Sequence, residues 1–229
     1  MKAFATILFT ITTLFVAVAN ADLHRASIYA FGGADPHITT WSGDRFEFQR
    51  RGDFVLLSNP DYSNGLGLEV QVRTKVNDWW SYIEAAVLRI GDETVEVRGG
   101  EEYSRYWING EEGFSALEPQ EEMQVWLQQG GIEVHIRQVN SKQFQLRVDL
   151  GNDEGVVFET FQQFVRVDVQ ANDAEEKSFA SNSLGLVGSF PRGAKVGRDK
   201  TTVIRSSTKF AKEWMVPAAE TTETTVFRS

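Results

Sequence analysis

Apolar and polar residues alternate one by one along most of the chain. The stretch LGLEVQVRT, for example, has apolar residues at every second position, namely Leu66, Leu68, Val70 and Val72. The same period of two recurs in TVEVR, GIEVHIRQ, KQFQLRVDL and FVRVDVQ. Because successive side chains of a β-strand point to opposite faces, each stretch predicts a strand with one buried face.

Turn-forming residues separate these predicted strands. The Asn-Gly pair in YWINGEEGF and the GDE between AAVLRI and TVEVR predict tight hairpins, since both resemble the short loops that join antiparallel strands. Short strands at this spacing predict an all-β protein, either an antiparallel two-sheet sandwich or an open barrel. The chain has no repeat of solenoid or propeller period, which disfavours those architectures.

One short helix is predicted near the end of the chain. Ser206 or Ser207 can cap the sequence STKFAKEWMV, in which Phe210 and Trp214 lie four residues apart on one face. A proline then stops the helical pattern. The remaining residues, 217–229, are polar and Thr-rich, which predicts a disordered tail that contributes little to the fold.

Residues 1–21 have the pattern of a secretory signal peptide. A basic residue precedes an apolar run, and the small residues Ala19 and Ala21 form the cleavage pattern. A membrane anchor is the alternative, but the run has only the lower end of the length that spanning requires. We therefore expect cleavage after Ala21, secretion without membrane insertion after signal removal, a linker over residues 22–30, and a folded domain over residues 31–216.

The net charge limits which partners the protein can bind, and the cysteine content limits how its fold can be stabilised. The chain has 32 acidic and 23 basic residues and a formal net charge of −9, which disfavours nucleic acid as a partner. It contains no cysteine, which is unusual for an exported protein. Stability must therefore come from an apolar core, to which 16 Phe and 6 Trp can contribute large buried areas.

Two boxes of sequence resemble von Willebrand factor type D domains. ADPHITTWSGDRFEFQRRGDFVLL is similar to the family opening, Gly-Asp-Pro-His followed by Thr-Phe-Asp-Gly, and LGLVGSFPRG is similar to the family box Gly-Leu-Cys-Gly-Asn-Phe. FAKEW falls where the family has a closing helix with a Trp. The middle of the chain resembles cysteine-poor variants in secreted proteins of microalgae. The resemblance implies a two-sheet sandwich of this type over residues 31–216.

The departures from the family pattern affect disulfides and calcium. Gly52 and Val187 stand where the family has cysteines, so family disulfides are excluded. Ser42 replaces an Asp that is a calcium ligand in calcium-bearing members, and Asp199 is the one acidic residue left in the loop SFPRGAKVGRDK. This loop carries four cations, namely Arg192, Lys195, Arg198 and Lys200. Since calcium requires six to eight oxygens, we expect no calcium and no other cofactor.

The basic loop itself has two interpretations. One of its cations could replace calcium and neutralise Asp35 or Asp44. Alternatively, the loop is a solvated charge run, as such runs commonly are. In either case Arg192, Lys195 and Arg198 are candidate binding residues.

Asp35-Pro36-His37 is a candidate for self-cleavage. In some relatives the same Asp-Pro bond cleaves itself at mildly acidic pH: the Asp carboxyl attacks its own carbonyl carbon and forms an anhydride, and the proline nitrogen leaves. His37 could donate or relay the proton, since histidine titrates near neutral pH. The alternative, which we favour, is a structural turn fixed by the proline ring.

Trp79, Trp80 and Tyr82 form a candidate platform for carbohydrate, which Tyr106, Trp107 and Trp126 would extend. Core filling is the alternative. Two adjacent Trp residues on a strand cannot both face inward, so we expect either Trp79 or Trp80 to be exposed or at a sheet edge.

The sequence contains no G-x-S-x-G or H-E-x-x-H motif and predicts no enzyme. We expect a secreted, non-catalytic interaction, matrix or adhesion module that binds an extracellular protein or glycan, with head-to-tail self-association as a further hypothesis. The alternatives are a self-processing protein that cleaves Asp35–Pro36 and a carbohydrate-binding module that uses the Trp edge.

Overall fold

A computed structural model describes residues 23–29, 36–113, 121–140, 143–172, 178–217 and 226–227. The predicted signal peptide, Asp35 and most of the predicted tail lie outside the described residues. In chain order the strands are β1 Leu23–Tyr29, β2 His37–Thr39, β3 Arg45–Glu47, β4 Gly52–Asn59, β5 Leu68–Asn77, β6 Trp80–Ile90, β7 Glu93–Arg98, β8 Arg105–Ile108, β9 Glu111–Gly113, β10 Glu122–Leu127, β11 Ile132–Asn140, β12 Gln143–Gly151, β13 Glu154–Phe161 and β14 Phe164–Asn172. The helical elements are a four-residue turn, α1 Tyr62–Gly65, and α2 Ser207–Glu213.

The strands form two antiparallel sheets. The eight-stranded sheet has the order β10-β11-β12-β13-β14-β1-β2-β3, and the six-stranded sheet has the order β4-β5-β6-β7-β8-β9. The two sheets pack face to face, with β14 against β6 near the middle. This arrangement confirms the prediction of an all-β, antiparallel two-sheet sandwich with one short helix near the C-terminal end.

The expected linker over residues 22–30 is wrong for most of its length. Leu23–Tyr29 instead forms β1, which lies inside the eight-stranded sheet between β14 and β2. Ala26 and Ile28 point into the core and are almost fully buried. In the sequence of β1, Ala26 and Ile28 are the two residues that mark the buried face. Two positions give only a weak alternation of apolar and polar residues, which is why the strand was not predicted.

The predicted strand alternation and hairpins are confirmed. Leu68, Val70 and Val72 of β5 are buried, whereas Leu66 precedes the strand and is half-buried. The predicted tight hairpin at GDE is the β6–β7 turn, whose loop has two residues because Ile90 pairs with Glu93. In the β8–β9 hairpin, Asn109 and Gly110 have φ values of 51° and 81°, as a type I′ turn requires.

The segment after β14 closes the β4 edge of the six-stranded sheet. Leu184 exchanges two backbone hydrogen bonds with Ser58, and Val216 donates to the Asp53 carbonyl. Gly185 has a φ of 150°, and a Cβ there would lie 2.2 Å from the Leu56 carbonyl oxygen, so this close approach requires glycine. Covering an edge strand in this way removes a template for aggregation.

Helix α2 has the predicted cap and the predicted buried face. The Ser206 side chain accepts a hydrogen bond from the Lys209 backbone. Phe210 and Trp214 are buried in the core. The helix ends at Glu213, before the proline that was expected to stop it.

Two buried carboxylates connect separate parts of this disulfide-free fold. Glu93 of β7 accepts backbone hydrogen bonds from Gln128 and Gln129, in the turn between β10 and β11 of the other sheet. Glu154 of β13 accepts three hydrogen bonds from residues on either side of the undescribed segment 173–177. Hydrogen bonds to a charged acceptor are stronger than neutral ones, so both groups tie the fold together.

Candidate functional site on the eight-stranded sheet

The outward face of the eight-stranded sheet carries a continuous polar surface. Its strands are in register, so that one outward residue from each lies in a transverse row. The central row runs Gln124, His135, Arg147, Val157, Asp168, Ser27, Thr39 and Arg45. The alternate residues of the same strands point into the core, which is why the outward positions are polar.

A depression of about 500 Å³ lies across this face, and we call it the groove. Its floor consists of short side chains, among them Ser27, Thr39 and Val157. Gly155 lies beside them, and a Cβ there would come within 2.6 Å of the Val148 carbonyl oxygen. Where small side chains in the middle of a sheet are surrounded by long side chains, the surface between the long ones is concave and open to solvent.

Arginines lie at both ends and on both sides of the groove. Within the central row, Arg147 and Arg45 lie at the two ends of the part that lines the groove, and they are separated by five strand spacings of about 4.8 Å each, or about 24 Å along the sheet. Arg25 and Arg166 lie on opposite flanks. Four arginines and two carboxylates thus line a groove in a protein whose formal net charge is −9.

Two of these arginines, Arg25 and Arg45, are exposed, and the charge of Arg25 acts to lower the pKa of the Asp168 carboxyl. Neither Arg25 nor Arg45 forms an ion pair or hydrogen bond with any described residue. Arg147 lies 4.0 Å from Asp149, at the limit of an ion pair. These guanidinium groups are available to a ligand, and each offers a planar set of donors that matches a carboxylate or sulfate.

Arg166, by contrast, is held within the protein. Its Nη2 atom donates to one Asp168 oxygen at 2.9 Å, and its Nε atom lies 2.7 Å from the other oxygen in an ion pair. Burial raises the pKa of the Asp168 carboxyl, although the hydrogen bond and charge of Arg166 act in the opposite direction. The Tyr29 ring lies 5.9 Å from the Arg166 guanidinium, which adds an aromatic surface to this flank.

The residues of the proposed cleavage motif are only partly described. Pro36 is buried, and Asp35 lies outside the described residues. His37 begins β2, where its Nδ1 is 2.7 Å from a Glu47 oxygen and its ring packs against Tyr29. The His37 imidazole therefore lies on the same outward face as the groove.

The aromatic platform is divided among several sites. Trp79 is 73% exposed in the β5–β6 turn, which confirms the expectation that one of the adjacent tryptophans is exposed. Trp80 is half-buried and packs with buried Tyr82 and Phe164. The remaining aromatic candidates do not join them: Tyr106 lies in the core, Trp107 is buried, and Trp126 is 57% exposed on β10.

The three candidate cations of the basic loop have different environments. Arg198 donates to the backbone carbonyl oxygens of Glu213 and Met215 and so caps the end of α2. Lys195 lies over the Phe46 ring at 5.0 Å. Arg192 is exposed. In the part of the chain that the structure describes, none of the three pairs with Asp44.

Asp199 and Ser42, the two residues considered for a calcium site in the sequence, make hydrogen bonds within their own loops. The Asp199 carboxylate accepts from the Thr202 hydroxyl and from the backbone of Thr202 and Thr201, which lowers its pKa to about 2. The Ser42 hydroxyl is 2.9 Å from that of Thr40. Among the described residues, no group of three or more histidine or acidic side chains is placed to hold a metal ion.

The groove was not predicted from the sequence. The alternating pattern predicted β11, β12 and β14, but residues 23–29, which form β1 in the groove, were assigned to a linker. Arg25 and Arg45 come to lie beside Arg147 only because β1 pairs with β14, which is about 140 residues away along the chain. A pattern among neighbouring residues does not indicate that β1 pairs with β14.

Comparison with family models and with curated proteins finds no match. The likeness to von Willebrand factor type D domains therefore rests on the two sequence boxes. Those boxes meet in the fold, where the Trp41 backbone donates to the Val187 carbonyl and its ring packs edge-on against Phe190. No helix in the described ranges has the length and apolar character needed to cross a membrane.

Proposed function

We propose that this protein is a secreted, non-catalytic binding module of von Willebrand D type and that its groove binds an anionic glycan. The observation that carries the proposal is a line of arginines across one sheet face of an acidic protein. Arg25 and Arg45 are exposed and form no ion pair or hydrogen bond with a described residue, and Arg147 lies 4.0 Å from Asp149. Charge–charge complementarity fits such a surface to sulfate or uronate groups.

The shape and chemistry of the floor favour a glycan over an acidic peptide. Ser27 and Thr39 provide hydroxyl groups, and the aromatic ring of Tyr29 lies at one side. Peptides that bind by strand addition require an open sheet edge, which the middle of a sheet face does not offer. An extended sugar chain needs only shallow polar contact, and the groove is about 24 Å long.

An exposed tryptophan lies on the same face. Trp126 occupies the row that continues through Glu133, Asp149 and Gly155 to Gln170 and Arg25. The Trp126 indole can stack on a sugar ring that extends beyond the groove. The acidic remainder of the protein repels polyanions elsewhere, which restricts binding to this face.

Titration of the mature protein with sulfated and neutral oligosaccharides of the same backbone tests the proposal. The sulfated ligand should bind and the neutral one should not. Arg25→Ala and Arg45→Ala should each weaken binding roughly tenfold, the effect of losing one charge-assisted hydrogen bond. The control Arg89→Ala changes an exposed arginine on the six-stranded sheet and should have no effect.

Two results would contradict this assignment. Equal losses in the Arg89 control would show that net charge alone determines binding. Tight binding of poly-glutamate, with none of the sulfated oligosaccharide, would identify an acidic peptide as the ligand instead.

Trp79 supports a second candidate function, binding of neutral carbohydrate. Its indole is 73% exposed at a hairpin tip and is available for stacking on a sugar. A neutral oligosaccharide that binds the wild type but not Trp79→Ala would support this function. No binding of a panel of neutral oligosaccharides would exclude it.

A further inference from the structure

The outer face of the six-stranded sheet holds the aromatic ring of Phe227. This side chain is only 5% exposed and packs against Ala85 and Val87 of β6. The Arg73 guanidinium lies over the ring, 4.4 Å from its centroid. The Val226 backbone N–H donates to the Gln71 side-chain oxygen at 3.2 Å. The tail was expected to contribute little to the fold, and this contact was not anticipated.

The residues beneath Phe227 form a defined seat, which consists of Gln71, Arg73, Ala85 and Val87. Ala85 and Val87 occupy outward positions of β6 yet are fully buried. Both pack against Phe227, with which they form a small apolar cluster. Without that ring they would present an apolar patch to water.

Neighbouring groups hold the polar members of the seat in place. Two Asp53 oxygens accept from Arg73 at 2.7 and 2.8 Å, which fixes the plane of the guanidinium. The Gln71 amide nitrogen donates to Glu69 at 2.6 Å, so its oxygen faces the incoming backbone. Because these contacts do not involve the tail, the seat is organised before Phe227 arrives, which lowers the entropic cost of binding.

The occupant is the end of a polar segment. Between Pro217 and Val226 the sequence is AAETTETT, in which Ala is the only apolar residue type. Val226 and Phe227 are therefore the apolar anchor of this part of the chain. A chain of nine residue steps reaches at most about 30 Å, so the anchor is tethered near its own seat.

We propose that the seat is a peptide-binding site for the Val226–Phe227 segment and that it can accept this segment from a second copy of the chain. The contacts are the same whichever copy supplies the ring, as in domain swapping. The tether gives the chain's own tail a high effective concentration, so exchange requires concentrated protein. Reciprocal exchange would produce a dimer, and sequential exchange would produce an open chain.

This site is independent of the groove. The seat lies on the outer face of one sheet and the groove on the outer face of the other. Copies joined through their tails would each keep a free groove. Failure of either proposal would therefore leave the other in place.

Peptide binding to the full-length mature Phe227→Ala variant tests the seat directly. A fluorescent peptide of residues 220–229 should bind this variant saturably, and binding to wild type should be about tenfold weaker or more because its own tail competes. The same peptide with Phe227→Ala should not bind, which controls for charge and backbone contacts. Equal binding of both peptides, or no binding of either to the folded variant, would overturn the proposal.

Self-association is measured by light scattering over a wide range of protein concentration. The wild type should form dimers or larger species as concentration rises, and Phe227→Ala should remain monomeric. Val203→Ala removes an apolar side chain that is 66% exposed elsewhere and should behave as wild type. A Phe227→Ala variant that associates as strongly as the wild type would overturn exchange between copies.

Discussion

Replacement of Glu154 should destabilise the protein more than any surface carboxylate would. Its side chain is 3% exposed and accepts hydrogen bonds at 2.8 Å from the Asn172 backbone, at 2.5 Å from the Ser178 hydroxyl and at 3.2 Å from the Phe179 backbone. The Asn59 amide in turn donates to the Phe179 carbonyl at 2.7 Å. Glu154 thus links the eight-stranded sheet to a segment that also contacts the six-stranded one.

The expected loss of stability is estimated from the hydrogen-bond donors that lose their acceptor when Glu154 is replaced. In Glu154→Ala two backbone N–H groups and one hydroxyl are left unpaired, at about 1–3 kcal/mol each. Removing the carboxylate also removes the cost of burying its charge, which offsets part of the loss. We expect a net loss of about 3–4 kcal/mol in the free energy of unfolding. Glu154→Gln keeps one acceptor oxygen and should lose about half as much.

Urea denaturation followed by tryptophan fluorescence measures this effect. With a slope of about 2 kcal/mol per molar urea, the midpoint of Glu154→Ala should fall by about 1.5–2 M. Glu101→Ala is the control, since Glu101 is exposed in a loop and should change stability by less than about 0.5 kcal/mol. A Glu154→Ala midpoint equal to that of the control would refute the assigned role of this carboxylate.

Two further predictions concern residues singled out in the sequence. Because hydrogen bonds from Thr202 and Thr201 lower the pKa of Asp199 from 3.8 to about 2, its stabilising effect is present above about pH 4 and is lost as pH falls towards 2. The stability difference between wild type and Asp199→Asn, measured by urea denaturation at several pH values, should shrink over that interval; a constant difference would contradict this cause. The intact mass of the mature protein should be the same after incubation near pH 5 and near pH 7.5, since the His37 imidazole is engaged by Glu47 at 2.7 Å. Loss of the segment ending at Asp35, abolished in Asp35→Ala, would instead establish self-cleavage.

Local patterns were sufficient for the predictions that depend on neighbouring residues. The period of two identified the main strands, Asn109–Gly110 identified a hairpin, and Ser206 identified the start of α2. In each case the determining residues lie within a few positions of one another. The number and spacing of such units predicted either a two-sheet sandwich or an open barrel, and the resemblance to von Willebrand factor type D domains favoured the sandwich.

Predictions that depend on distant pairing were less complete. Residues 23–29 were assigned to a linker because Ala26 and Ile28 alone mark their buried face, whereas β14 supplies the pairing that makes them a strand. Arg198 was expected either to replace calcium or to lie in a solvated loop, but it donates to the carbonyl groups at the end of α2. Phe227 gave no periodic signal, since it is a single aromatic residue in a polar segment.

The central claim is that an anionic glycan occupies the groove on the eight-stranded sheet. Its most direct test is the amide spectrum of isotope-labelled mature protein during titration with a sulfated oligosaccharide. Saturable shifts should be concentrated at Ser27, Thr39 and Val157, on the groove floor, and absent at Ala85 on the opposite sheet. Shifts concentrated at the Trp79 turn or at Arg192, with none on the groove floor, would contradict the proposed site.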